Sequence, residues 1–231
     1  MSVLDRCPFD LCDGSGLMVD DETNTASPCR CRPQRISVKR ARALSGVIPK
    51  RFRGVSFDRP PVTEIDPKLV FPIRRYVRSL DDNLDAGRGL FIMGSVGTGK
   101  TTLAMLVSKH ALEAGRSVAI YSVPRLLTEI RRTYDGEARR SDLELLDRLA
   151  AVDLLHLDDL GAERTSEWVL EQLYSIINAR YEDGRSLIVT TNVGAEDLGR
   201  QVGVRTVSRL AEMCEAIMLQ GDDQRQAQHA S

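Results

Sequence analysis

The sequence has no apolar run long enough to cross a lipid bilayer, although it is 231 residues long. Its opening stretch, MSVLDRCPFD, lacks the apolar segment of a secretory signal. It has no internal repeat, and its formal net charge is only -1. These absences argue against a membrane protein, a secreted protein and a repeat architecture. We therefore expect a cytoplasmic protein with one large domain and a small appendage.

The charged residues are unevenly distributed despite the low net charge. Residues 1–22 contain six acidic residues and one basic residue, whereas residues 30–57 contain nine Lys or Arg and no Asp or Glu. Such segregation indicates either a surface for a partner or nucleic acid, or a solvated basic linker. The sequence leaves both interpretations open.

The N-terminal 30 residues have too little apolar periodicity to build a core. Four of the five cysteines lie in this region, and in a reducing cytosol such a cluster binds metal more often than it forms disulfides. Their pairing predicts an all-cysteine zinc module over residues 1–33, and the alternative is a disordered, redox-sensitive tail. Four thiolates leave no open coordination position, so the module would serve docking rather than catalysis. The predicted ligands are Cys7, Cys12, Cys29 and Cys31.

Strands and helices alternate from residue 89 onward. Short apolar runs predict strands over 89–93, 117–121, 153–158, 186–191 and 216–219. The segments between them predict helices over 100–114, 124–134, 141–151, 166–182 and 204–212. Earlier in the chain, we predict helices over 33–44 and 67–84, the second kinked or started late by Pro72. The alternation predicts an α/β fold with a five-stranded parallel sheet, which binds ligands at the carboxyl ends of its strands.

A glycine-rich loop, GSVGTGKT, lies between the first of these strands and the following helix. The pattern G-x-x-x-x-G-K-[ST] in this context is typical of a loop that wraps phosphates with backbone N–H groups at a helix N-terminus. Lys100 would reach the β- and γ-phosphates, and the Thr101 hydroxyl would bind Mg²⁺. The predicted nucleotide-binding residues are Gly94, Ser95, Val96, Gly97, Thr98, Gly99, Lys100, Thr101 and Thr102.

Two carboxylates, Asp158 and Asp159, end the apolar run LLHLDD. A strand-end acid holds Mg²⁺, and a second acid beside it polarises the attacking water, which favours a hydrolase over a kinase. Asn192 ends the next strand, and its amide could orient that water. We therefore predict an ATPase with Asp158 and Thr101 as Mg²⁺ ligands and Asp159 and Asn192 as catalytic residues.

Basic residues form two further candidate sites. Arg205 and Arg209 lie in RTVSRL, and an arginine that reaches a neighbouring subunit's γ-phosphate would stabilise the transition state. The segment TEIRRTYDGEARR, residues 128–140, combines arginines with a tyrosine and suits single-stranded DNA, although its acidic residues dilute the charge. A solvated helix face and an ordinary exposed loop are the respective alternatives.

These motifs together resemble the AAA+ ATPases of the DnaC/DnaI helicase-loader family, which includes the IstB-type transposition helpers. The resemblance spans roughly residues 48–225 and is most specific in LLHLDDLGAERTSEWVLEQLYSIINARY. It implies a Mg²⁺-dependent ATPase that binds a DnaB-type replicative helicase and single-stranded DNA and assembles as a homo-oligomer. By position, Asp158 and Asp159 correspond to the Walker B acids, Asn192 to sensor 1, and Arg209, with Arg205 as the competing choice, to the arginine finger.

The resemblance also defines the expected domains and two departures from most AAA+ proteins. We expect a zinc module over 1–33, a basic helix and linker over 34–60, an ATPase core over 61–221 and a polar tail over 222–231. The second Walker B acid is Asp rather than Glu, which suits a slow switch. Few residues follow the last strand, so we expect no full helical lid. An IstB-like transposition helper and a non-hydrolysing adaptor remain the alternative functions.

Overall fold

The computed structural model describes six stretches of the chain: residues 7–20, 25–33, 35, 48–134, 145–146 and 149–220. Several predictions lie wholly or partly outside these described residues. They concern the basic helix over 33–44, the helix over 141–151, the end of the proposed DNA-binding segment, the polar tail and the absence of a lid.

A small hairpin follows the first two cysteines. It consists of β1 (Leu17–Asp20) and β2 (Thr25–Pro28), which pair antiparallel. The sequence analysis did not predict this hairpin, because both strands are short and carry little apolar alternation. The cysteines flank it in the chain, so the hairpin brings the second pair back towards the first.

A five-stranded parallel sheet forms the centre of residues 48–220, in the order β4-β5-β6-β3-β7. This arrangement confirms the predicted fold class. Because β3 lies between β6 and β7, the loop that follows it lies beside the ends of those two strands. The strands are β3 (Gly89–Gly94), β4 (Val118–Ser122), β5 (Leu154–Leu160), β6 (Ser186–Thr191) and β7 (Cys214–Leu219).

Helices cover both faces of the sheet. On one face, α1 and α3 pack over Leu90 and Ile92, and on the other, α4, α5 and α7 pack over Phe91. Consecutive strand residues point to opposite faces, so burial on both sides explains why the strands are continuous apolar runs. The helices are α1 (Pro67–Arg78), α2 (Leu80–Asp85), α3 (Lys100–Glu113), α4 (Val123–Tyr134), α5 (Glu167–Glu182), α6 (Ala195–Val202) and α7 (Val204–Met213). Among the described residues, no helix is both long and apolar enough to span a membrane.

The predicted single helix over 67–84 is two helices. Pro72 lies inside α1 without ending it, and the chain instead leaves the helical conformation at Ser79, with φ −111° and ψ 38°. This change of direction buries Leu80 and Leu84 of α2 against the sheet. The short helix α6 was also missed, because it has only eight residues and contains a glycine.

The segment that precedes α1 packs against α3. Phe52 is buried with Met105, and the Phe57 ring stacks on His110 with 5.6 Å between ring centroids. The Lys109 ammonium donates a hydrogen bond of 2.9 Å to the Val55 carbonyl. Both aromatic side chains of this segment, Phe52 and Phe57, therefore contact the helix that follows the glycine-rich loop.

Candidate active site

The glycine-rich loop connects β3 to α3 and lies against the end of β7. A Cβ atom at Gly94 would lie 2.2 Å from the Leu219 carbonyl oxygen, so this close approach requires glycine. Gly99 precedes α3 with φ 91°, in the left-handed region that glycine adopts without strain. The Lys100 ammonium donates to the Ser95 carbonyl at 2.6 Å and so lies over the loop.

A cavity of about 280 Å³ lies above this loop. It brings predicted phosphate-binding residues together with the second strand-end acid and with Asn192. Arg51 and Pro61 also contribute to the wall, and the sequence analysis missed them because nothing in their local pattern indicates a ligand. The lining residues are Arg51, Pro61, Val96, Gly97, Gly99, Lys100, Thr101, Thr102, Asp159 and Asn192.

The carboxylate of Asp158 is buried beside Thr101. Its Oδ1 accepts hydrogen bonds from Thr101 Oγ1 at 3.0 Å and from Thr190 Oγ1 at 2.6 Å. Burial alone would raise the pKa of this carboxyl, but His156 and the two hydroxyl donors outweigh burial and lower the pKa. A hydroxyl and an ionised carboxylate are hard oxygen ligands, so the donor set fits Mg²⁺.

The two acids, Asp158 and Asp159, lie in a β-bulge near the end of β5. Leu157 pairs with Val189 and Leu160 pairs with Thr191, so β5 contains one extra residue over this interval. Asp158 and Asp159 lie opposite Thr190 in this interval, and the φ of 60° at Asp159 is uncommon for a non-glycine residue. The bulge turns Asp159 out of the sheet and towards the cavity.

Polar groups from β6 hold Asp159 in this conformation. The Asp159 backbone N–H donates to Thr190 Oγ1 at 2.9 Å, and Asn192 Nδ2 donates to Asp159 Oδ1 at 3.3 Å. Thr190 therefore contacts both acids, yet the sequence analysis did not select it. The available signal was a hydroxyl side chain near the buried end of β6.

The loop after the acids is held from α6. Gln201 Nε2 donates to the Gly161 carbonyl at 3.2 Å and to the Glu163 carbonyl at 2.9 Å. The Glu163 carboxylate accepts from the Gly161 N–H at 3.2 Å, and burial raises its pKa. These contacts fix the end of β5 and so the direction in which the acids point.

The two candidate arginines lie on α7, and neither is among the residues that line the cavity. Arg209 lies over the Tyr181 ring at 4.2 Å, and its Nε donates to Asn178 Oδ1 at 3.1 Å. A weaker contact of 3.4 Å joins Arg209 to Glu212. Arg205 is exposed. The structure therefore places neither predicted arginine at the cavity of its own chain.

The described part of the predicted DNA segment lies on α4. The guanidinium of Arg131 lies 4.7 Å from the centre of the Trp168 ring, and Arg132 is exposed beside it. Trp168 was not selected from the sequence, since it belongs to α5. Residues 135–140 lie outside the described part of the chain.

The four N-terminal cysteines come together. All four sulfur atoms lie within 4.8 Å of one another, with 3.7 Å between Cys7 and Cys29 and 3.6 Å between Cys12 and Cys31. A tetrahedral zinc site with Zn–S bonds of about 2.3 Å has sulfur–sulfur separations of about 3.8 Å, so the geometry fits zinc. All five cysteines of the chain are free thiols.

The environment of the cluster also suits a cation. Burial would raise the pKa of Cys7, but backbone hydrogen bonds near Leu11 and Phe9 outweigh it and lower the pKa to about 6. Burial and the neighbouring thiols raise the pKa of Cys31 to about 12. Four crowded thiols cannot all ionise without a compensating positive charge, which a bound metal would provide.

Comparisons with known proteins agree with this geometry. A family model described as IstB-like ATP binding protein matches residues 56–231. The chain is 28% identical over 137 residues to the replicative helicase loader DnaC of Escherichia coli (strain K12), a match that covers 59% of this chain and 54% of that protein. DnaC of Buchnera aphidicola subsp. Schizaphis graminum is 25% identical over 143 residues, which are 62% of this chain and 57% of that protein.

The fold has a counterpart among solved structures. A crystal structure of the DnaC helicase loader superimposes with a TM-score of 0.65 at 28% identity, covering 74% of this chain and 100% of that chain. The chain spans little more than half the length of the two curated loaders. The family model, in contrast, matches well over half of the chain. The chain therefore belongs to the IstB-like family of ATP-binding proteins, with a P-loop AAA+ fold, as its sequence motifs predicted.

Proposed function

We propose that this protein is an ATP-dependent helicase loader, which binds a DnaB-type replicative helicase and single-stranded DNA in the cytoplasm. The observation that carries the proposal is the meeting of the phosphate loop with Asp158, Asp159 and Asn192 at one edge of the sheet. The curated relatives named replicative helicase loader DnaC support the choice of partner. ATP binding would organise the loader, and hydrolysis would release the helicase.

The proposed hydrolysis assigns a task to each side chain at the cavity. The loop N–H groups and Lys100 would hold the phosphates, while Thr101 and Asp158 would hold Mg²⁺, which would supply positive charge against the phosphates. Asp159 accepts a hydrogen bond from the attacking water and takes its proton, and the Asn192 amide fixes the orientation of that carboxylate. The short side chain of Asp159 suits a slow switch.

The proposed oligomer completes this site in trans. We assign the arginine finger to Arg209, with Arg205 as the alternative, because both lie on α7 outside their own cavity. To reach a neighbour, Arg209 must leave the Tyr181 ring, whereas Arg205 is already exposed. An Arg205→Ala and Arg209→Ala pair tests the choice. The finger variant should lose oligomer-dependent hydrolysis but keep nucleotide affinity.

Two surfaces would contact the macromolecular partners. Arg131 over Trp168 combines positive charge with an aromatic ring, which suits the backbone and bases of single-stranded DNA. The zinc module would contact the helicase. Phe9 and Leu11, which lie between Cys7 and Cys12 in the chain, have exposed apolar side chains that suit such a contact.

A pull-down with the replicative helicase of the same organism tests the proposed function, with and without ATP. The loader should retain the helicase, and Cys29→Ser should weaken that retention while Cys214→Ser, remote from the cluster in the chain, should not. DNA binding is measured separately by fluorescence anisotropy, where Arg131→Ala should weaken affinity more than Arg200→Ala on α6. Retention of no helicase by the wild-type chain would contradict the loader function.

A transposition helper is the second candidate, because the matching family model is the IstB-like one. Such a helper would coat DNA and engage an integrase instead of a helicase. Binding to the integrase but not the helicase would favour it. A non-hydrolysing adaptor would bind ATP without releasing phosphate in the presence of DNA, and the two strand-end acids argue against that function.

A further inference from the structure

A buried imidazole lies next to the acidic end of β5. His156 has no solvent exposure, and its Nδ1 lies 2.9 Å from the hydroxyl oxygen of Ser108 on α3. Its Nε2 is also buried and has no hydrogen-bond partner among the described residues. The Oδ1 atom of Asp158 is 3.9 Å from Nε2, just beyond hydrogen-bond distance.

The position of this histidine is unusual for its surroundings. Residues 154, 156 and 158 of β5 share one sheet face, and that face otherwise packs apolar residues such as Leu154 and Ile188 against α3. A buried N–H without an acceptor costs about 1–3 kcal/mol, so an aliphatic side chain would suit the core better. A polar group kept at such a place calls for a functional explanation.

Two polar contacts join α3 to β5. Ser108 faces His156, and Thr101, two helical turns earlier on α3, donates to Asp158. The same helix therefore holds the predicted Mg²⁺ ligand at its start and the imidazole partner further along. A neutral imidazole has one donor and one acceptor nitrogen. If the Ser108 hydroxyl donates to Nδ1, the proton lies on Nε2 and faces the Asp158 carboxylate.

We propose that His156 is a positioning residue for Asp158, whose Nε2–H closes onto Asp158 Oδ1 when magnesium and nucleotide bind. Closure requires a movement of about 1 Å, and hydrogen bonds around catalytic groups commonly tighten only in the substrate complex. With Oδ1 fixed by Thr101, Thr190 and His156, the second carboxylate oxygen is left for the metal or its water. Such outer partners orient the ligands of metal sites. The inference rests on the proposed Mg²⁺–nucleotide site.

Two substitutions of His156 test its two ring nitrogens separately. The amide of His156→Gln can replace Nε2 as the donor to Asp158, whereas the shorter amide of His156→Asn replaces Nδ1 and contacts only Ser108. Binding of a non-hydrolysable ATP analogue is measured by calorimetry in Mg²⁺ and in EDTA. The gain in affinity that Mg²⁺ produces should be about 10-fold smaller in His156→Asn than in the wild-type chain. In His156→Gln, this gain should stay within about 2-fold of the wild-type gain.

The measurement in EDTA separates positioning from folding, because a general packing defect would weaken binding in both conditions. His110→Asn is the matched control on the surface of α3 and should leave the Mg²⁺ dependence unchanged. Equal Mg²⁺ dependence in the wild-type chain and His156→Asn would overturn this inference but not the proposed function. A wild-type chain that binds no nucleotide would overturn the proposed function and this inference together.

Nuclear magnetic resonance tests the proposal on the wild-type chain, without relying on any variant. The sequence has only three histidines, so ¹⁵N-labelled histidine gives few signals to assign. We expect the His156 proton on Nε2 and a downfield shift of that proton when Mg²⁺ and the analogue are added, but not with the analogue in EDTA. A proton on Nδ1, or a shift that is the same in EDTA, would overturn the inference.

Discussion

The cysteine cluster and the sheet core are two regions with opposite means of support. Among the described residues between 7 and 33, the buried apolar side chains are those of Cys7, Cys29 and Cys31, while Phe9 and Leu11 are exposed. The core instead buries aliphatic and aromatic side chains on both faces of a five-stranded sheet. Hydrophobic burial can stabilise the core, whereas the module has little besides its four sulfur atoms.

The two regions should therefore lose their stability in different ways. The module should depend on one small group of atoms and should be lost as a unit when that group is removed. The core distributes its stability over many contacts, so single changes at its active site should alter chemistry without unfolding the chain.

Removal of the proposed zinc ion should unfold the module and leave the core folded. Structural zinc contributes on the order of 10 kcal/mol to small metal-dependent folds, far more than any single core contact. Hydrogen exchange monitored by mass spectrometry should show complete loss of protection in residues 7–33 after chelation, with unchanged protection in β3 and β6. A module that stays protected after exhaustive chelation would show that zinc does not support it.

Replacement of Asp159, the proposed water-polarising acid, should slow hydrolysis without affecting the module. For Asp159→Asn, we expect a fall of about 100-fold or more in kcat, because a positioned general base supplies at least this factor. The analogue's affinity should stay within about 3-fold. Steady-state phosphate release measures the effect, and Asp197→Asn on exposed α6 is the matched control. Wild-type turnover by Asp159→Asn would remove this residue from the mechanism.

Arg180 is the single side chain on which we expect core stability to depend most. It is fully buried, donates to four backbone carbonyls and has a pKa lowered to about 9 by burial. Arg180→Met leaves those carbonyls unpaired and should destabilise the chain by about 3 kcal/mol in urea. Arg200→Met, at an exposed position, should change it by less than about 0.5 kcal/mol. Equal urea midpoints for Arg180→Met and Arg200→Met would contradict this stabilising role of Arg180. The acceptors are Leu149, Ala150, Asp153 and Ser186.

The fifth cysteine should be protected by a different mechanism from the other four. Burial raises the pKa of Cys214 to about 12, so its reactive thiolate is scarce near pH 8 and becomes abundant only as the pH rises towards 12. We expect a thiol reagent at pH 8 to label Cys214 about 50-fold more slowly than a free thiol. Urea should release this protection, whereas chelation should release only the module thiols. Simultaneous release of all five by chelator would contradict separate protection.

The sequence predicted those parts of the fold that depend on local pattern. The alternation of apolar runs located all five strands of the sheet, because strands buried on both faces need continuous apolar residues. It missed the hairpin of β1 and β2, whose four-residue strands carry no such signal. It also joined α1 to α2, because the break at Ser79 is set by the burial of Leu80 and Leu84 rather than by Pro72.

The candidate site was predictable where a motif fixes the spacing, and not where distant segments meet. Lys100, Thr101 and the two acids follow from chain order and strand ends. Arg51 joins the cavity only through the packing of its segment on α3, and Thr190 is defined by its contact with both acids. No local pattern indicates the contact of Arg51, and Thr190 offers only a hydroxyl side chain near the end of a buried strand.

Calorimetric binding of a non-hydrolysable ATP analogue, with and without Mg²⁺, is the decisive measurement for the proposed nucleotide site. The wild-type chain should bind the analogue more tightly in Mg²⁺. Lys100→Ala should lose about 100-fold in affinity, as expected for a charge-assisted contact to phosphate, and Lys109→Ala on the same helix should lose none. Wild-type affinity in Lys100→Ala, or affinity that is independent of Mg²⁺, would contradict a magnesium–nucleotide complex held between the glycine-rich loop and the acidic end of β5.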